Sequence, residues 1–392
     1  MIHLLQTHSL AIITDNKLII CKNPEHSVPS WTESDLTGGD TVRICSSSNQ
    51  MRLSDELAIL TNDGRVLAGY NLIKPRLADL TLTVKNLFGA DASNIQGLCI
   101  KGQSLVIWTN FRVGVIHLGL GSGPLATYQC KFPSEINLIS ISNCYCIIKT
   151  NNNRLFGIMH YRWEGPYAST MGVPMDFNDL TELAFHDVEN IREIHTGEFM
   201  ILLWMEDMSV YGCVYHGPRG TRSPFARVPF PEGESVVKIV HTGYHVIYVT
   251  AAGNCYCQDT RTGYDWSRSP VPVRELEGCV ENVVVVNRDS IVAQCRTQSV
   301  SKTYLVDLIM HQGQLTFRIV PLPFFDNIPI RSASQLSLLT CFVTDDGCVY
   351  WSHNIYDTEP IITRDPFFDS NLLAIESNAA RIRSAGSVLG DA

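Results

Sequence analysis

Charge is scarce in this chain. Asp, Glu, Lys and Arg together make up 18% of its 392 residues, against roughly 25% in ordinary globular proteins. Long helical bundles, coiled coils and disordered chains lean on those residues, so the shortage argues against all three. The start, Met1-Ile2-His3-Leu4-Leu5-Gln6-Thr7, has no basic residue ahead of its apolar stretch, and Asp15 and Lys17 interrupt that stretch. A secretory leader is not expected from it. The longest apolar run, Phe199 to Met205, is far short of the roughly 20 residues that cross a bilayer, so no membrane insertion is expected. There is no Asn-x-Ser/Thr sequon and no Cys-x-x-Cys, and the 13 cysteines are odd in number and scattered. That usage fits a reduced intracellular protein. The cytoplasm is the expected compartment, with the nucleus as the alternative. No lipidation signal stands at Gly390-Asp391-Ala392. A net charge of -9 disfavours a general nucleic-acid or anionic-membrane binder, since both reward a basic face.

What the chain does have is apolar content of 45%, ample for a large core, and repetition. Ile191-Arg192-Glu193-Ile194-His195-Thr196-Gly197 matches Val237-Lys238-Ile239-Val240-His241-Thr242-Gly243 at a spacing of 46. Pro323-Phe324-Phe325-Asp326 returns as Pro366-Phe367-Phe368-Asp369, 43 residues on. A weaker unit is more frequent: an apolar strand, Thr, two polar residues, Gly or Asn, and a second apolar strand. Leu57 to Leu67 and Cys341 to Tyr350 show it best. The pattern is that of a β-hairpin, with Gly or Asn taking the positive φ and the Thr hydroxyl serving the turn.

Turn anchors fall at 14, 61, 109, 150, 205, 250 and 344. The last gap is a double one, and Ser290 to Cys295 followed by Lys302 to Val306 fills it with a degenerate unit. Eight hairpin units therefore run from end to end. A period of 40 to 50 residues, rich in strands, predicts an all-β chain folded as one β-propeller. Residues 1–376 are assigned to the ring, of seven or eight blades, and 377–392 to a flexible tail. Pro-bearing segments such as Arg227 to Pro231 and Pro321 to Pro323 suit outer edges, where a missing N–H matters least. The one helical piece expected is Asp179 to Val188.

The unit "Ile-x-x-Ile-x-x-Gly, apolar strand, Thr-x-x-Gly-x-Val-Tyr" resembles the repeat of the regulator of chromosome condensation family. Val237 to Tyr256 and Ile330 to Trp351 carry it best, with Val349-Tyr350-Trp351 standing where that family has Val-Tyr-Trp-Gly. The family's Gly after the aromatic is mostly absent here. The resemblance implies a propeller, and through the family's founding activity it implies guanine-nucleotide exchange on a small GTPase.

Several groups could carry chemistry. Cys144-Tyr145-Cys146 and Cys255-Tyr256-Cys257 place two thiols on one strand face, as a metal would need, but the pairs fall in separate repeats on opposite sides of their turns, and buried packing is much the stronger reading. His195 and His241 stand at matching repeat positions and could bind a metal near the axis or act as a base, but a shared structural role outweighs both, since no nucleophile or carboxylate triad accompanies them. Gly119 to Pro124 lacks the Lys and Ser/Thr of a phosphate loop. No catalytic residue, metal site or cofactor is assigned, and the chain is not expected to be an enzyme.

Binding residues are expected in loops, where Tyr, Trp and Arg dominate binding energy. Arg162, Trp163 and Tyr167 belong to one such loop, and Tyr264, Trp266 and Arg268 to another. The competing structural reading folds these aromatics back over blade edges. The expected function is that of a non-catalytic interaction propeller, a scaffold or regulatory subunit that binds protein partners. The alternative is an exchange factor or other regulator of a small GTPase, with 160–167 as its wedge.

Overall fold

The structure is a computed structural model. It describes residues 3 to 368, excluding 6–10, 15–16, 22–30, 36–40, 50–53, 71–76, 102–103, 119–123, 143–144, 160–175, 180–186, 198–199, 215–223, 261–265, 298, 337, 358–359 and 366–367. Strands before residue 56 are described by their backbone course.

Eight four-stranded antiparallel sheets follow one another along the chain, each an unbroken meander. They span 3–35, 41–79, 97–131, 136–179, 191–227, 236–272, 280–321 and 330–364, and are called blades 1 to 8. The inner strand of blade 8, Ile330–Leu336, lies against that of blade 1, His3–Leu5, which closes the ring. No strand is shared between the first and last sheets. Among the described residues the blades number eight, the higher of the two numbers expected.

Every anchor turn read from the sequence joins the second strand of a blade to the third. Thr61 Oγ1 donates to the Arg65 carbonyl and accepts from its N–H, and Thr150 and Thr344 donate to the matching carbonyls of Arg154 and Cys348. Gly64, Asn153, Gly253 and Gly347 hold the positive φ, as the hairpin pattern requires.

Second strands such as Tyr145–Thr150, Met200–Met205, His245–Thr250 and Leu339–Thr344 are buried from end to end. Blades cover them on both sides, so their sequences run apolar without alternation. A core cluster fills each joint from blade 2 to blade 8. Polar side chains stitch the same joints. Lys149 Nζ of blade 4 donates to the carbonyls of Glu189 and Ile191 at 2.7 and 3.0 Å. In the corresponding position of blade 7, Gln294 reaches the Ile328 carbonyl and the Ile330 N–H. Fourth strands are short where prolines stand in or beside them, as at Ala226–Arg227, ahead of Pro229, and Val271–Pro272.

Among the described residues the α-helix is Thr81–Phe88, which buries Val84 and Phe88 in the joint between blades 2 and 3 and was not expected. Of the segment expected to be helical, 180–186 lie outside the described residues, Asp179 ends the strand Asp176–Asp179, and Val188 opens a short turn, Val188–Asn190. The repeat at 46 is also one residue out of step with the strands. Ile194 faces Leu203 as Ile239 faces Tyr248, and Gly197 N–H closes on the Met200 carbonyl as Thr242 N–H closes on His245. The structural period is therefore 45, and the identical His-Thr-Gly triplets slide by one residue across the turn.

Trp266 lies flat on Gly212 in the joint between blades 5 and 6, so a Cβ at that glycine would run into the indole. Gly212→Ala is expected to lower stability by about 1–3 kcal/mol, read as a fall in urea midpoint. Little change would show that the indole moves aside freely.

Candidate functional site: a hairpin-bearing face of the ring

The first-to-second and third-to-fourth strand connections leave from one face of the ring. Third strands of blades 4, 5 and 6 end on that face at Met159, Val214 and Asp259, so the chain leads from them into the loops singled out by sequence. Arg162, Trp163, Tyr167 and Tyr264 lie outside the described residues, as do 218–223, 119–123 and Cys144. Arg268 is exposed. Trp266 is not: at 3% exposure it belongs to the core of the joint, beside Val228 and Tyr256. An indole buried inside its own chain offers no surface to a partner, and the folded-back reading describes it.

Blade 7 carries the feature that sequence reasoning missed. Third strands in the other blades run five to seven residues, but here the third is Val300–His311, 12 residues long, returning as Gln314–Pro321. Its second-strand neighbour, Ser290–Thr297, pairs only as far as Asp307. Ile309 to Leu315 therefore stand beyond the sheet as a free hairpin, rising about 10 Å at 3.3 Å per residue. Gln312 and Gly313 make its two-residue turn, both at positive φ. Ile309 is 43% exposed near the tip. The signal was available as two β-rich runs flanking Gln312-Gly313.

The hairpin's root is braced. Arg318 Nε and Nη2 reach Asp307 Oδ2 at 2.7 and 2.6 Å across the strands. The other Asp307 oxygen accepts from Ser290 Oγ at 2.9 Å. Ser290 continues to Tyr356 Oη, and Tyr356 donates to Gln335 Oε1 at 2.8 Å in blade 8. Such a network fixes the hairpin's direction, which spares ordering entropy on binding. Beside it, Arg288 stands over the Tyr244 ring at 5.4 Å and donates to its hydroxyl at 3.3 Å. Arg288 keeps half its side chain in solvent.

The suspected chemistry lies elsewhere. Cys255 and Cys257 sit together in the core between blades 6 and 7, and burial pushes the Cys255 thiol up to about 12. Cys146 is buried and its thiol is likewise raised. Among the described residues no three His, Cys, Asp or Glu side chains converge as a metal set, and no helix is long and apolar enough to cross a membrane. On the opposite face, a polar cleft of about 540 Å³ between blades 7 and 8 is lined by Glu281, Arg296, Ser301 and Asp345. Glu281 and Arg296 pair at 2.9 Å, and the Gln294 amide in its wall is fully bonded.

His195 and His241 do meet, because of the one-residue offset. His195 occupies the strand position of Val240, which packs toward the next blade, and His241 that of Thr196, which contacts Ser140 of the previous one. The two rings therefore face each other across the joint between blades 5 and 6, with centroids 5.1 Å apart. Both His241 nitrogens and His195 Nε2 are buried without a hydrogen bond. Glu193 Oε2 is 3.4 Å from His195 Nε2, and Trp204 closes the other side.

No family model and no curated protein matches this chain. Solved structures that are similar include Hsv2p of Kluyveromyces lactis, at 10% identity and TM-score 0.47, covering 82% of this chain and 96% of that one. Human WBSCR16 is similar at 10% and 0.43, covering 69% and 81%. Prp20p of Saccharomyces cerevisiae is similar at 10% and 0.41, covering 64% and 69%. The likeness is of architecture. It assigns neither a family nor an activity.

Burial lowers the His195 pKa from 6.5 to about 4, and burial plus the neighbouring imidazole lowers that of His241 to about 3. The unfolded chain therefore takes up these protons near pH 6.5 while the native ring still refuses them. Their contribution to stability is complete above pH 6.5 and is lost as the pH falls toward 4. Urea midpoints should drop over that window, less steeply in His241→Gln, which cannot take up a proton. Equal slopes in both proteins would contradict the neutral pair.

Proposed function

We propose that the chain is a non-catalytic interaction propeller, a scaffold or regulatory subunit, that grips a protein partner with the face bearing the blade 7 hairpin. The observation that carries this reading is the braced, protruding hairpin with Ile309 exposed at its tip and Arg288 on Tyr244 beside it. A rigid apolar projection flanked by an arginine and an aromatic is the composition of a binding hot spot. Arg162, Trp163, Tyr167 and Tyr264, on connections that leave the same face, and Arg268 are proposed to extend the contact.

The exchange-factor alternative keeps one supporting observation, since the hairpin has the form of a wedge. Prp20p binds Gsp1p and histones; for this chain a small GTPase is one partner class to test.

Affinity capture of the tagged chain from its native cells should recover a partner. Ile309→Asp is expected to weaken that capture by about 2 kcal/mol or more and Arg288→Ala by about 1 kcal/mol, with melting temperatures unchanged. Capture unaffected by both substitutions would remove the hairpin face from the account. Faster release of labelled nucleotide from a recovered GTPase would select the exchange reading, and a stable complex without it the scaffold.

A further inference from the structure

A second site lies away from the hairpin, at the inner end of the joint between blades 5 and 6. That inner end is lined by a run of side chains: Arg192 over Trp204 at 4.5 Å, Trp204 against His195 at 6.4 Å, then His241 with its ring 5.1 Å from that of His195. Three buried imidazole nitrogens there have no hydrogen-bond partner. Native proteins rarely leave such atoms bare, because each buried orphan costs about 1–3 kcal/mol.

We propose that His195 and His241 together bind a borderline transition-metal ion, of which Zn2+ is the representative, with water at the inner rim completing its shell. The spacing fits. An imidazole centroid stands about 3 Å from a zinc ion held at 2.0–2.1 Å by one ring nitrogen, so two rings at a tetrahedral angle are about 5 Å apart. The observed separation is 5.1 Å. A metal binds imidazole through a nitrogen lone pair, and neither nitrogen of the buried His241 is tied up in a hydrogen bond.

The surroundings agree with that charge. Glu193, whose Oε2 lies 3.4 Å from His195 Nε2 without a hydrogen bond to it, puts a negative charge beside the ion. Arg192 stands over the Trp204 ring and pairs with Glu193 at 4.0 Å. Two imidazoles are the protein's whole contribution, since no third ligand of that kind converges among the described residues. Affinity should therefore be micromolar, weaker than a closed four-ligand zinc site. His195, whose side chain retains 17% exposure, gives the ion its way in.

Calorimetric titration of Zn2+ into the full chain tests this directly, alongside His195→Asn, His241→Gln and Cys279→Ser. Cys279 is a partly exposed thiol and serves as the control for adventitious sulfur binding. The wild type and Cys279→Ser should bind with equal micromolar affinity, and each histidine variant should bind at least about tenfold more weakly. If His241→Gln does not fold, His195→Asn, at the less buried of the two positions, decides. Absence of saturable binding in the wild type would overturn the site. So would an affinity untouched by His195→Asn, or one lost in Cys279→Ser.

Discussion

Four short strands make a sheet with two apolar faces and nothing inside the sheet to cover either. Blades of about 45 residues are stable only when each face lies against a neighbour, and most other features of this molecule follow from that. Second strands such as Leu339–Thr344 are buried from end to end because both their faces are joints. Fourth strands can shrink to two residues at the rim because little of the core depends on them. Polar groups buried in a joint must find partners in the next blade, and Lys149 and Gln294 do so by reaching its backbone. In the joint between blades 5 and 6 the imidazoles of His195 and His241 meet with no such partner for His241.

Stacking also explains where function can reside. A blade's faces are consumed by its neighbours, so only the connections at either end of the strands remain free to meet a partner. Blade 7 enlarges one such connection by continuing two paired strands past the sheet instead of inserting an irregular loop. Backbone pairing from Leu308 to Phe317 and the Asp307–Arg318 brace make the projection part of the rigid scaffold.

The ring itself was legible in the sequence because its turns are. Thr61, Thr150 and Thr344 announce the hairpins through a hydroxyl that the turn needs, and Gly or Asn follows where φ is positive. Helix Thr81–Phe88 has no side-chain cap at its N-terminus, so its boundary carried no signal. Trp266 read as a loop aromatic because nothing local says that Gly212, over 50 residues earlier, leaves a slot for it. His195 and His241 read as equivalent because a triplet repeats, and period-two strands turn a one-residue slip into opposite faces. Their meeting is a consequence of tertiary register that local pattern cannot supply.

The central claim is that partners meet the hairpin-bearing face and not the opposite one. A photo-crosslinking amino acid placed at Ile309 and, in a separate protein, at Phe324 compares the two. Both positions are more than 40% exposed, and Phe324 lies in the turn at the far end of the strand returning from the hairpin. Irradiation in native cells should give a partner adduct from position 309 and none from 324. Adducts from 324 alone would place the working surface on the other side of the ring.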